Sequence, residues 1–374
     1  MVKPGEWRKP SPPLVSIIVA AYNISGIKSV FRQAIKSCLD SDRVEIIVVD
    51  NGSKDDSQSV LSEFGNQIVV KRVPRNLGHA EGTNLGASLA KGEFLLLLDA
   101  DAIPIRNSIA VSLEKMGEDH RLGAVGGITL GYTKRESTGS GFFFDVFFRG
   151  YEAHKNYSLS EFRNTYASMV PTAFLLVRRK ALGGRVFPRE FHTYTDDSEL
   201  CFRLWSRGYK MLTLREPLAY HEPGSSRKSA AQTDASLTHQ IGRNFLRNDA
   251  LMLTILRMYL PGHYFLRFIT TASRLATDEL IHFPIFLMKE DRYRFPQAYH
   301  PGESIEYIRH SATNLPTSRL YGPSVPLLLC SRWSDLASQF GRRIQHEELR
   351  VTRKDLDSCQ TEYLVRVDRP REVA

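Results

Sequence analysis

Phe94–Pro104, FLLLLDADAIP, is the stretch from which the fold can be read. Five apolar residues, Phe94–Leu98, run unbroken into Asp99-Ala100-Asp101. A short continuous apolar run reads as a strand buried on both faces. Its carboxyl end then delivers two carboxylates where the chain leaves the core. In open α/β sheets that edge is where ligands bind. Asp99 and Asp101 are therefore candidates for holding a divalent cation and a polar ligand. The plain alternative is an acidic turn, since Asp is common in turns. The flanking segments decide between the two.

Upstream, VSIIVAA (15–21) reads as a buried strand that ends in Tyr22-Asn23, and 27–39 has helical spacing. VEIIVV (44–49) is a second strand, ending in Asp50-Asn51-Gly52-Ser53, with a helix expected over 55–64. A third strand is expected over 68–73, a turn at PRNLG (74–78) and a small-residue helix over 79–90. Strands alternating with helices predict βαβ units and a parallel sheet. Asn23, Asp50, Asn76, Asp99 and Asp101 then converge on one sheet edge. No G-x-G-x-x-G follows the first strand, and no G-x-x-x-x-G-K-[ST] occurs. Both familiar phosphate loops are thus disfavoured, and a bound nucleotide would rely on carboxylates, backbone amides and a metal.

Downstream, a helix is expected over 105–116, and strands over 122–129 and 169–178. Residues 132–166, rich in Gly, Phe and Tyr, read as a packed irregular insert, the alternative being an aromatic wall for a sugar or lipid. TDDSELCFRLWSRGY (195–209) reads as a helix, with Leu200 and Leu204 on its buried face and Gly208 as its stop. Asp196 or Asp197 would cap its N-terminus. The helix dipole and free amides also hold a carboxylate ionised there. One Asp can cap while the other accepts a proton from a substrate hydroxyl. A strand over 210–220 then delivers His221 ahead of a Pro-Gly-Ser-Ser loop.

Together VSIIVAAYN, VEIIVVDNGSKDDS, NLGHAEGTNLGA, FLLLLDAD, LLVRR, TDDSELCFRL and His221 resemble the family 2 glycosyltransferases, in particular non-processive, rhamnosyltransferase-like ones. The resemblance spans about residues 14–224 and implies a GT-A fold: an α/β, Rossmann-like sheet binding a nucleotide-diphosphate sugar. It implies Mg²⁺ or Mn²⁺ as cofactor and inversion at the anomeric carbon. Carried over, Ala21, Tyr22, Asn23 and Asp50 flank the base, and Gly78 and Asn84 close over the nucleotide. Asp99 faces the ribose, Asp101 binds the metal with His221 as a second contact, and Asp197 is the catalytic base. The family's Glu-Asp-x-Asp-Leu pattern stands here as Asp196-Asp197-Ser198-Glu199-Leu200, so both flanking acids are swapped. Pro171-Thr172 replaces the usual Gly before the acceptor strand. Arg332-Trp333 lacks the Gln that processive membrane synthases place ahead of it, since Leu329 stands there.

The rest of the chain constrains less. Its 374 residues and 42% hydrophobic content suit a globular protein with a large core. The net charge of +9 suits anionic partners such as nucleotides without choosing among them. No nucleic-acid motif is present. The four cysteines lie far apart, with no CxxC spacing, so a reduced, cytoplasmic setting is expected. No stretch approaches the ~18 apolar residues of a membrane span. Expected organisation is a flexible arm over 1–13, a catalytic domain over 14–224 and a mainly helical extension over 225–374. Helices at 240–260 and 332–350 and an apolar patch at 281–288 would serve a homodimer or a peripheral contact with the inner face of the cell membrane.

The expected activity is transfer of one sugar from a UDP- or dTDP-linked donor to the hydroxyl of a glycan, a lipid-linked sugar or a small molecule. Such a step belongs to cell-surface polysaccharide, glycolipid or natural-product biosynthesis. The competing reading is a nucleotide-sugar-binding protein without turnover, a scaffold or regulator.

Overall fold

Ten strands join in one sheet whose parallel half is built from the apolar runs just quoted. The computed structural model describes residues 13–133, 136–145, 150–152, 164–167, 169–188, 196–225, 324–328 and 363–366. In chain order β1 is Val15–Ala21, α1 Lys28–Leu39, β2 Val44–Asp50, α2 Ser57–Ser62, β3 Val69–Arg72, α3 His79–Leu89 and β4 Phe94–Leu98. Then come β5 Ala102–Pro104, α4 Ser108–Glu118, β6 Leu122–Leu130, β7 Ser137–Gly139, β8 Phe142–Asp145, β9 Gly150–Glu152 and β10 Thr165–Tyr166. β11 Phe174–Arg178, α5 Arg179–Leu182, α6 Asp196–Ser206 and β12 Lys210–His221 follow, with β13 Ser324–Leu328 and β14 Tyr363–Arg366 further on.

The sheet order is β10-β12-β6-β11-β4-β1-β2-β3, with β5 on β12 and β7 on β6. β4 lies in its middle, parallel to β1 and antiparallel to β11. All five β4 residues are buried, as a strand covered on both faces requires. Ile18, Leu95, Leu97 and Val177 pack with Ala80 of α3 and with Leu200 and Leu204 of α6. Ile17, Val19, Leu96 and Leu98 turn to the other face, against Phe31 and Ile35 of α1. The period-two alternation of each strand thus feeds two separate helix layers.

The sheet is mixed, which corrects the expectation of a parallel one. β11 runs antiparallel between β4 and β6, while β12 returns parallel to β6. An apolar run such as FLLVR fixes burial but not direction. The helix expected from 105 is preceded by β5, three residues that pair with the end of β12 at Ala102↔His221. That pairing brings the segment after Asp101 beside His221. Within the expected strand over 169–178, only Phe174–Arg178 forms one, because the chain turns at Thr172-Ala173, after Pro171.

The small residues of α3 have a packing reason. A Cβ at Gly86 would come within 2.6 Å of Ile18 Cγ2, so α3 lies almost on the β1 surface. At the far edge, β3 is exposed along its whole length. Lys71 and Arg72 on that strand oppose pairing with another chain.

β8 and β9 leave the main sheet and join β13 and β14 in a second, four-stranded one. Those two strands and Ser225 are what the described residues include of 225–374, and the helices and apolar patch expected there lie outside them. Among the described residues no helix is long and apolar enough to cross a membrane.

Candidate active site

The carboxyl ends of β1 and β2 are tied together by their own polar side chains. Asn23 adopts a left-handed backbone (φ 51°), which Asn tolerates better than most residues. Its Oδ1 accepts from Lys54 N at 2.8 Å, and its backbone N–H donates to Ser53 Oγ at 3.0 Å. Asp50, 1% exposed, accepts from Ser53 N at 3.0 Å and lies 3.4 Å from Arg72 Nε. Asn51 reaches across to the next loop. Its Nδ2 donates to Gly78 O at 2.9 Å and Asn76 Oδ1 at 3.1 Å, and its Oδ1 accepts from Leu77 N at 2.9 Å. The approach is close enough that a Cβ on Gly52 (φ +76°) would stand 2.4 Å from the Arg75 carbonyl carbon. Ala21 is buried and Tyr22 half-buried between these groups.

Gly78 opens α3, and Asn84 lies one and a half turns further along. Asn84 spends its side chain on a distant loop: Nδ2 donates to Phe187 O at 2.8 Å, and Oδ1 accepts from Phe187 N at 2.9 Å. The same loop is gripped from below by the fully buried Arg203. Its guanidinium pairs with Glu199 at 3.0 Å and donates to Leu182 O at 2.8 Å and Val186 O at 2.6 Å. Asn84 and the swapped acid Glu199 thus both position the Leu182–Phe187 segment. A buried Arg of this kind is rare without such partners.

Asp99, Asp101 and His221 meet beyond the end of β4. His221 Nε2 lies 3.6 Å from Asp99 Oδ2 and 3.5 Å from Asp101 Oδ1. One ligand atom from each of the three falls within 4.8 Å of the others. Asp101 is 1% exposed and further held by Ser225, whose hydroxyl donates to its Oδ2 at 2.7 Å. Tyr132 donates to the Asp101 carbonyl, and Thr138 to the His221 carbonyl at 2.7 Å. Burial presses the Asp99 carboxyl above the ordinary carboxylate range, against the pull of His221 and His79. Two carboxylates and an imidazole are a donor set that could hold a divalent cation. The accumulated acid charge of the cluster is what such an ion would offset.

The same row continues towards α6. His79, the first residue of α3, places Nε2 3.8 Å from Asp99 Oδ1 and Nδ1 2.7 Å from Asp196 Oδ2. Its ring packs on Phe187 at 5.6 Å. Burial works against the imidazolium, but Asp196, with Asp99 and Asp197 behind it, outweighs burial and lifts His79 to about 9. Asp196 is thereby committed to His79. Asp197, beside it, caps its own helix by accepting from Ser198 N at 2.8 Å through Oδ1. Burial and the neighbouring Asp196 charge raise Asp197 to about 7, only partly offset by the Ser198 amide and His79.

Asp196, His79, Asp99, His221 and Asp101 therefore form one alternating row of acid and imidazole, drawn from α6, α3 and the ends of β4 and β12. The sequence singled out five of the residues gathered here: Asp99, Asp101, His221, Asp197 and, as its partner at the helix start, Asp196. His79 was missed, and so were the clamps Asn51, Tyr132 and Ser225. The one local signal for His79 was its place directly after a loop glycine, at the start of a helix.

The sequence has relatives. Residues 16–184 match the family model described as glycosyl transferase family 2. The glycosyltransferase GlyG of Streptococcus pneumoniae is 28% identical over 139 residues, 35% of this chain and 43% of its own length. An uncharacterized glycosyltransferase of Haemophilus influenzae is 29% identical over 113 residues, 29% of this chain and 44% of its own. The chain thus spans less than half the length of these curated relatives. Among solved structures, S. aureus TarS 1–349 in complex with UDP superposes with a TM-score of 0.47 at 15% identity, covering 79% of this chain and 78% of that one.

Proposed function

We propose, from the premise that residues 16–184 are a family 2 glycosyl transferase domain, that the chain is an inverting, metal-dependent glycosyltransferase. It moves one sugar from a nucleotide-diphosphate sugar to an acceptor hydroxyl. The observation that supports this reading is the row from Asp196 to Asp101, because it sets a candidate cation triad at one end and Asp197, the neighbour of Asp196 in the chain, at the other.

In this reading Asp99, Asp101 and His221 hold Mg²⁺ or Mn²⁺, whose chemistry is to offset negative charge on the departing diphosphate. Ala21, Tyr22, Asn23 and Asp50 form the base end of the site. Gly78, tethered by Asn51, sets the loop over the nucleotide, and Asn84 supports it through Phe187. Asp99 borders the ribose as well as the cation. Asp197 takes the acceptor proton as the hydroxyl attacks. Asp196 already answers His79, so Asp197 is the acid of the pair left to act as base, with Oδ2 uninvolved in the helix cap. A single base suffices for inversion, since the acceptor attacks from the face opposite the leaving group. A positioned carboxylate of this kind contributes about 10²–10⁴-fold. The catalytic domain over 14–224 is then the working unit, and the extension beyond it serves the acceptor, a second copy or a membrane surface.

A panel of UDP- and dTDP-linked sugars, screened with Mn²⁺ by thermal shift and then by donor hydrolysis, tests the reading. A bound ligand raises the melting temperature. The expected result is turnover of at least one donor, with Asp197→Asn keeping the fold and losing about two or more orders of magnitude in rate. Near-normal turnover in that variant removes the base assignment. Donor binding without turnover in the wild type would favour the binding-protein alternative.

A further inference from the structure

We infer that His79, oriented by Asp196, hydrogen-bonds a hydroxyl of the transferred sugar and so helps to choose the donor. This deepens the glycosyltransferase reading and rests on it. His79 spans the interval between Asp99 and Asp196, with Nε2 at 3.8 Å and Nδ1 at 2.7 Å from their oxygens. Asp99 belongs to the cation and diphosphate end, and Asp196 adjoins the base. In an inverting transfer the sugar lies between leaving group and base, so a side chain bridging the two borders the sugar.

The ring is also built to read rather than to fill space. Its Nδ1 is consumed by the buried Asp196, and its face rests on Phe187 at 5.6 Å. Phe187 is itself fixed to α3 by both ends of the Asn84 amide. Behind it, Gly78 is held by Asn51. Orientation is therefore set before any ligand arrives, which lowers the cost of binding. By contrast Nε2 stands beyond hydrogen-bond reach of Asp99 Oδ1, and the side chain is 27% exposed. That nitrogen can meet a ligand oxygen without first breaking a bond. Asn23, Asn51 and Asn84 spend their amides on backbone groups.

Calorimetry with the full chain and Mn²⁺ tests this, using each nucleotide sugar of the UDP and dTDP panel and the corresponding nucleoside diphosphate alone. His79→Ala should weaken the best-bound nucleotide sugar by about tenfold or more, while the nucleoside diphosphate stays within about twofold. Asp196→Asn, which leaves the Asp197 contact with the Ser198 amide in place, should shift the same ratio in the same direction. Loss of both ligands in parallel, or of neither, overturns the inference and leaves the glycosyltransferase reading standing. A wild type that binds no nucleotide at all fells both.

Discussion

The two halves of the site use polar residues in opposite ways. At the ends of β1 and β2, Asn23, Asp50 and Asn51 are spent on backbone amides and carbonyls. Around β4 and α6, acids face imidazoles, and the side chains hold one another at 2.7–3.8 Å. The first half is a scaffold in which Asn51 ties two loops together and shapes the end proposed for the base. The second is a charge cluster, to which the proposed function assigns the chemistry. Substitution of the loop tie Asn51 should cost stability, and substitutions in the second half should cost binding or rate.

Asn51→Ala gives the sharpest test of the scaffold half. It strips the partner from Leu77 N and Gly78 O and should cost about 1–3 kcal/mol in chemical denaturation. A variant as stable as wild type would break the distinction, because the loop would then be held by something else.

The chemical half predicts a pH profile instead. As the proposed base, Asp197 would act only when ionised, and burial, with the Asp196 charge beside it, raises it to about 7. The proton is therefore held on the folded protein below that value. kcat should fall about tenfold per pH unit on the acid side, with a midpoint at or below about 7, since a bound cation favours the ionised form. A flat profile from pH 5 to 8 would remove Asp197 from the rate-determining step.

These halves were unequally legible. VSIIVAA and FLLLL are strands to the residue, since an unbroken apolar run states its burial directly. The antiparallel course of β11 was not legible, because apolarity carries no direction. β5 escaped notice because three residues show no period. Within the site, Asp99 and Asp101 announced themselves at a strand end. The His79–Asp196 contact joins positions 117 residues apart, and no local pattern reports it. The resemblance sets Asn84 in the helix that closes over the nucleotide, but it does not report that the side-chain amide bonds Phe187, 103 residues away. Side-chain identity was readable, but the choice between scaffold and chemistry depends on partners that only the fold supplies.

The central claim is that Asp101 belongs to a cation site and not merely to a buried hydrogen-bond network. Titration calorimetry of Mn²⁺ into the full chain and into Asp101→Asn, with circular dichroism to check the fold, tests it most directly. The account predicts one ion per wild-type chain and an affinity weaker by about tenfold or more in the folded variant. Equal manganese binding by both proteins would contradict it.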